Sequence, residues 1–169
     1  MLSLSQKQRI EEIDALIESL REEKYSINPF AYLKDMSMKQ FGEEFSENYI
    51  LTRVPNLTSK HGAGHDMYSI KLGLIEVKSG RLPYKKTWTF NQLHPHECEY
   101  FLFVFYDTED ASTEIFLVPS NDIVNSSIFS ISKQHSTNGE CYSISGTRKN
   151  ILALQEYKIS NWEELNSIV

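Results

Sequence analysis

The sequence predicts an α/β protein: a central mixed sheet flanked by helices, with an added C-terminal β-hairpin. Three observations carry this. Residues 5–24 place Ile10, Ile13, Leu16, Ile17 and Leu20 at intervals of three or four, the mark of one helix face. Glu99-Tyr-Phe-Leu-Phe-Val-Phe-Tyr106 is almost continuously apolar, as suits a central strand covered on both faces. Leu74-Ile75-Glu76-Val77-Lys78 alternates in polarity, as a strand with two unlike faces does.

Length and composition bound the answer. A chain of 169 residues is read as one domain with a substantial core: N-terminal helices over 1–36, a core over 37–118, and a C-terminal hairpin and helix over 119–169. The net charge of −6 argues against a protein that coats nucleic acid generally, and it requires any anion-binding surface to gather its basic residues locally. No apolar run approaches the roughly 18 residues of a membrane span, so no membrane partner is expected. The two cysteines, Cys98 and Cys141, do not make a disulfide scaffold. With an N-terminus that lacks a signal-peptide core, they point to a cytoplasmic protein.

In chain order, the helix over 5–24 is expected to pack on the core or on a partner subunit. Asn28-Pro29 opens a second, shorter helix. Ser37-Met-Lys-Gln40 is a capping-box pattern that starts a helix running to about Asn48, with Met38, Phe41 and Phe45 on its apolar face. On that helix Glu44 falls about 60° from Phe41 and borders the buried face, while Glu43 and Glu47 point further out. Tyr49 to Val54 reads as a strand ended by Pro55. The loop from Asn56 to Gly64 holds two glycines without the third of a nucleotide-binding fingerprint. Thr87 to Leu93 reads as a short helix, Asp107 to Thr113 as a turn, and Glu114 to Val118 as a strand. Pro119-Ser-Asn-Asp opens a further short helix or a turn. Ile128–His135 and Glu140–Ser145 flank Asn138-Gly139, a strong hairpin signal, and Trp162–Val169 closes the chain as a short helix.

The chemistry gathers at the alternating strand. Glu76 and Lys78 share one face of it, half buried, and such groups are rare in a strand unless paired or bound. A turn near Lys71-Leu72-Gly73, with Gly73 free to take positive φ, folds the preceding strand back and brings Asp66 beside them. Two adjacent carboxylates repel, and a divalent cation between them removes the conflict. Arg81, Lys85 and Lys86, interleaved with Tyr84 and Trp88, form the densest basic group nearby: a phosphate-contacting surface or a solvated loop. Lys133, Gln134 and His135 near the hairpin tip, with Arg148 and Lys149 after it, fit either entry into a DNA groove or a charge-protected edge. His94-Pro-His96-Glu-Cys98, with His61 and His65, offers zinc-ligand types, but no pair has finger spacing. Cysteine nucleophiles are disfavoured by the apolar surroundings of both thiols.

Gly64-His-Asp66, nine intervening residues and then Glu76-Val77-Lys78 resembles the PD-(D/E)xK nuclease motif. Gly-His-Asp stands where the motif has Pro-Asp; the Glu-x-Lys half is intact. The resemblance covers about residues 37–118 and implies a restriction-endonuclease-like fold, most like a small type II restriction enzyme. It implies Mg2+ bound by Asp66, Glu76 and the Val77 carbonyl, with Lys78 acting on the attacking water and Glu44 as a further acid. Double-stranded DNA is the implied substrate and a homodimer the implied assembly. Two alternatives stand beside it: a Holliday-junction resolvase or repair nuclease of the same fold, and a non-catalytic DNA- or protein-binding module.

Overall fold

A computed structural model describes residues 2–62, 64–82, 89–132, 140–145 and 148–169, without the side chains of Glu43, Ser132, Arg148 and Ile151. Nine strands are described: β1 Leu57–Gly62, β2 His65–Ser69, β3 Gly73–Leu82, β4 Thr89–Leu93, β5 Tyr100–Asp107, β6 Thr113–Pro119, β7 Ser130–Ser132, β8 Cys141–Ser145 and β9 Lys158–Ile159. Six of them form a mixed sheet in the order β1-β2-β3-β5-β6-β9, and β4-β8-β7 form a second, smaller sheet. The meander β1-β2-β3 is antiparallel, β3 and β5 are parallel, and β5-β6-β9 is antiparallel again. The chain is thus α/β with a mixed central sheet flanked by helices.

Helices cover one face of the large sheet. There Leu102, Val104 and Tyr106 of β5 pack with Met67, Ile75, Phe41, Ile50 and Leu165. On the other face Phe101, Phe103 and Phe105 of β5 and Phe116 and Val118 of β6 meet Phe90, Leu93, Tyr142 and Ile144 of the small sheet. Period-2 alternation along β5 feeds these two cores in turn, which is why its run is apolar throughout. The β2–β3 turn is as the sequence predicts. Gly73 takes φ +84°, and the buried Ser69 hydroxyl accepts from the N–H groups of Lys71 and Leu72. α3 Ser120–Asn125, α4 Arg148–Leu154 and α5 Trp162–Ile168 complete the described C-terminal part; α3 and α5 follow the expectation and α4 was not expected. β7 and β8 pair antiparallel, as the hairpin reading requires, although the Asn138-Gly139 turn itself lies outside the described residues.

Four expectations need correction. Tyr49–Val54 is not a strand: it belongs to α2 Glu47–Arg53, which continues a π-helical segment Gln40–Ser46. Ile50 and Val54, four apart, are both fully buried, the spacing of a helix; short apolar runs do not distinguish the two periods. Thr87–Leu93 is not a helix where it is described. Phe90 and Leu93 are three apart because a bulge between them, with Gln92 at φ +58°, adds a residue to β4. Asn28-Pro29 does not start an α-helix; the Asn28 side chain accepts from the Phe30 N–H and a 3-10 turn follows over Ala31–Asp35. Finally, the stretch expected as a loop over Asn56–Gly64 holds β1 Leu57–Gly62. α1 Leu4–Ile27 forms as expected, with its Ser3–Gln6 capping box, and buries none of its residues on this chain. The Ser37–Gln40 capping box is formed through both reciprocal hydrogen bonds.

Candidate active site

The site lies where β2 ends and β3 continues. β2 pairs with β3 from Ser69–Gly73 to Met67–Ile75, and Asp66 is the next residue out. Its Oδ2 accepts from the Val77 N–H at 2.8 Å. Within a strand, a residue's N–H and C=O leave on the same edge, so the Val77 carbonyl also faces this side. Beyond Asp66 this edge of β3 has no sheet neighbour among the described residues. There it borders an open cleft of about 310 Å³ lined by the π segment, β3 and β4, with Lys39, Glu47, Asp66, Glu76, Lys78 and Asn91 among its polar walls.

Glu76 is 8% exposed, which is unusual for a carboxylate. Burial pushes its pKa upward and the Asp66 carboxylate adds to the rise, while Lys78 opposes both. The Lys78 Nζ donates to Glu76 Oε1 at 2.5 Å, and both side chains are largely covered. The sequence-predicted convergence of Asp66, Glu76 and Lys78 is therefore formed.

Of the helical acids whose side chains are described, Glu47 lines the cleft and Glu44 does not. Glu47, His61 and Asp66 bring their ligand atoms within 4.8 Å of one another, with His61 Nε2 3.4 Å from the Glu47 carboxylate. Glu44 is exposed on the solvent side. The expectation assumed 100° per residue, but residues 40–46 run as a π-helix, in which positions five apart share a face. Phe41 and Ser46 are both fully buried, and Gly42 and Glu47 both line the cleft. The wider turn carries Glu47 to where an α-helix would have left it outside. Ser46 is fastened from below: its hydroxyl bonds the Ser79 hydroxyl and, at 3.0 Å, the buried Tyr106 hydroxyl.

The loop glycines also have a positional reason. Gly64 sits at φ +68°, and a Cβ there would lie 2.0 Å from the Glu97 carboxylate; the His65 ring similarly occupies the space over Gly62. This tight turn delivers Asp66 to the cleft. Arg81 is redirected. Its Nη1 donates to the backbone carbonyls of Leu33 and Met36, and its guanidinium lies 4.9 Å from the Phe41 ring centroid. It clamps the helical layer to β3, with Nη1 held by those two carbonyls and Nη2 3.1 Å from the Met38 sulfur. Lys149 stands exposed at the start of α4. Lys85, Lys86, Lys133, Gln134 and His135 lie outside the described residues, as does the Arg148 side chain. Lys39 and Asn91 join the cleft without having been singled out; they are marked only by lying in the segments that flank it.

Both cysteines are buried free thiols, and burial pushes Cys98 up to about 11, in line with their expected inertness. Among the described residues no helix is long and apolar enough to cross a membrane. Neither models of known protein families nor curated proteins match this chain.

Proposed function

We propose that this protein is a Mg2+-dependent endonuclease of the PD-(D/E)xK class, hydrolysing phosphodiester bonds in double-stranded DNA, and most like a small type II restriction enzyme. The observation that carries the reading is the meeting of three acids, Glu47, Asp66 and Glu76, with Lys78 at the open edge of one strand. The sheet supports it as well: a three-stranded meander followed by a strand parallel to its last member is the order expected of a restriction-endonuclease-like fold. One departure is that β4 stands within the β3–β5 connection, where a helix was expected.

The donor set suits Mg2+, which takes oxygen ligands and retains several waters. Asp66, Glu76 and the Val77 carbonyl would hold it, and Glu47 would hold it or its waters. The raised Glu76 pKa marks a carboxylate short of positive charge, the condition a bound cation relieves. When bound, the ion supplies neutralisation of the scissile phosphate and acidifies a water. The chain's own groups do the rest. Asp66 is oriented by the Val77 N–H, so its second oxygen is left for the ion. His61 Nε2 stands 3.4 Å from the Glu47 carboxylate, within reach of the same ion. Lys78 keeps a cation beside Glu76, where it orients the attacking water and stabilises charge that grows on the phosphate.

One cleft cuts one strand, so a double-strand cutter calls for two chains. The uncovered face of α1 supports a homodimer: Ile10, Ile13, Ile17 and Leu20 follow the three-four spacing of a coiled-coil seam, yet are 44%, 42%, 42% and 55% exposed.

Incubation with plasmid DNA and Mg2+ tests the activity. Discrete linear fragments support a restriction enzyme. Cutting confined to branched DNA moves the assignment to a resolvase, and binding without cutting to a non-catalytic module.

A further inference from the structure

A second group of ligating side chains sits apart from the acidic cleft's own, on the turn between β4 and β5. His94 follows the fully buried Leu93, and the Glu97 N–H donates to the His94 carbonyl at 3.0 Å, closing a tight turn. Around that turn His94, His96 and Glu97 each present a ligand atom, all within 4.8 Å of one another. The His96 Nε2 lies 3.7 Å from Glu97 Oε1, and the two imidazole rings meet edge to face at 5.9 Å.

Two features point to a ligand. The His94 Nδ1 is buried and has no hydrogen-bond partner among the described residues, whereas nearly all buried polar side-chain atoms have one. The Glu97 carboxylate is seated against Gly64, in space that any side chain at 64 would fill, so one oxygen donor is held in place before anything binds. Other ligand types from the same stretch are spoken for. The Cys98 thiol is buried 3.6 Å from the Ser120 hydroxyl, and His61 belongs to the cleft.

We propose that His94, His96 and Glu97 bind a divalent transition metal of the zinc class, with solvent completing the coordination. Two imidazole nitrogens and one carboxylate are a donor set that zinc accepts, with three protein ligands leaving a fourth position open. Magnesium and calcium, which prefer all-oxygen shells, are poor occupants. The half-exposed His96 supplies the movement needed to tighten the set around an ion. Because Glu97 rests on Gly64, an ion here fastens the β4–β5 turn to the loop that feeds Asp66. The site stands whether or not the cleft is a nuclease.

The test is zinc retention. Chelator-stripped full-length protein is given a small excess of Zn2+, passed through a desalting column and assayed for metal by mass spectrometry. The Co2+-loaded protein is examined for visible absorption bands from imidazole-bound cobalt. The wild type is expected to retain one ion per chain. His96→Ala, at an exposed position that the fold tolerates, and His94→Ala are expected to retain at least about tenfold less, as loss of ligation demands. Asp66→Ala is expected to retain zinc as the wild type does. Circular dichroism verifies that each variant is folded. No retention by the wild type, full retention by folded His96→Ala, or loss with Asp66→Ala would each overturn the site; the last would move the ion to Glu47, His61 and Asp66.

Discussion

β3 and β5 are parallel neighbours, hydrogen-bonded over eight register pairs, and they have opposite characters. β5 is closed: residues 101–106 are all buried, and both its edges are occupied by strands. β3 carries Glu76, Lys78 and Arg81 along the same stretch of sheet. The difference lies in what borders them. β2 stops pairing at Met67, so beyond the Asp66–Val77 hydrogen bond the far half of β3 has no strand on that edge among the described residues, and space for polar side chains. A half-covered strand next to a fully covered one provides burial for shifting a carboxylate's pKa and access for a substrate. The comparison predicts that stability resides in β5 and chemistry in β3, and that the two separate under mutation.

The largest effect is expected at the acids. Asp66→Ala and Glu76→Gln are expected to abolish cleavage in Mg2+ while keeping the fold, with melting temperature equal to or above wild type in chelator, because each removes like-charge repulsion. Near wild-type cleavage by either would show that the open half of β3 is not the site. Next, Lys78→Ala is expected to slow single-turnover cleavage by about 10²–10³-fold. DNA affinity in Ca2+ should change little, since one cation is a small share of the phosphate contacts. A loss of rate only in proportion to binding would return Lys78 to a simple ion pair. For β5, Phe103→Ala is expected to lower unfolding free energy by about 3–5 kcal/mol, read by urea melts, with cleavage unchanged wherever the protein remains folded. Activity loss in folded protein would erase the division between the strands.

A smaller effect sharpens the helix assignment: Glu47→Gln should raise the Mg2+ concentration needed for half-maximal cleavage, by about 10–100-fold, and Glu44→Gln should not. The smallest is a pH slope. Glu76 has its pKa raised in the folded state, so between the ordinary glutamate value, about 4.3, and that raised value the native state binds more protons than the unfolded one. Metal-free protein should therefore lose stability as pH rises through this window. Thermal melts in chelator should show the slope in wild type and its absence in Glu76→Gln.

The parts of this architecture that were legible in the sequence are those in which period and burial coincide. β5, the Gly73 turn and the meeting of Asp66, Glu76 and Lys78 follow from strand alternation and one glycine. Elsewhere, single residues break the period. The bulge at Gln92 spaced Phe90 and Leu93 like a helix, and the π segment rotated Glu47 inward past Glu44. Neither leaves a compositional trace, because the extra residue in each is chemically ordinary. Arg81 illustrates a third limit: a basic residue beside a motif invites a phosphate role, and only tertiary structure reveals that Leu33, Met36 and Phe41 have claimed it.

The π segment has one more consequence, which concerns insertions and deletions rather than substitutions. Its widened turn holds one residue more than an α-helix would over the same span. Removing Glu44, an exposed residue, lets the segment close as ordinary α-helix and keeps Phe41 and Ile50 both anchored in the core. Glu47 precedes Ile50 by three residues in α2, so it is then expected to keep its place at the cleft although the chain is one residue shorter. A deletion variant that folds and cleaves as the wild type does would show that the π turn is one surplus residue absorbed between two fixed anchors. One that folds but cleaves as poorly as Glu47→Gln would show that the widened turn itself sets the acid in the cleft.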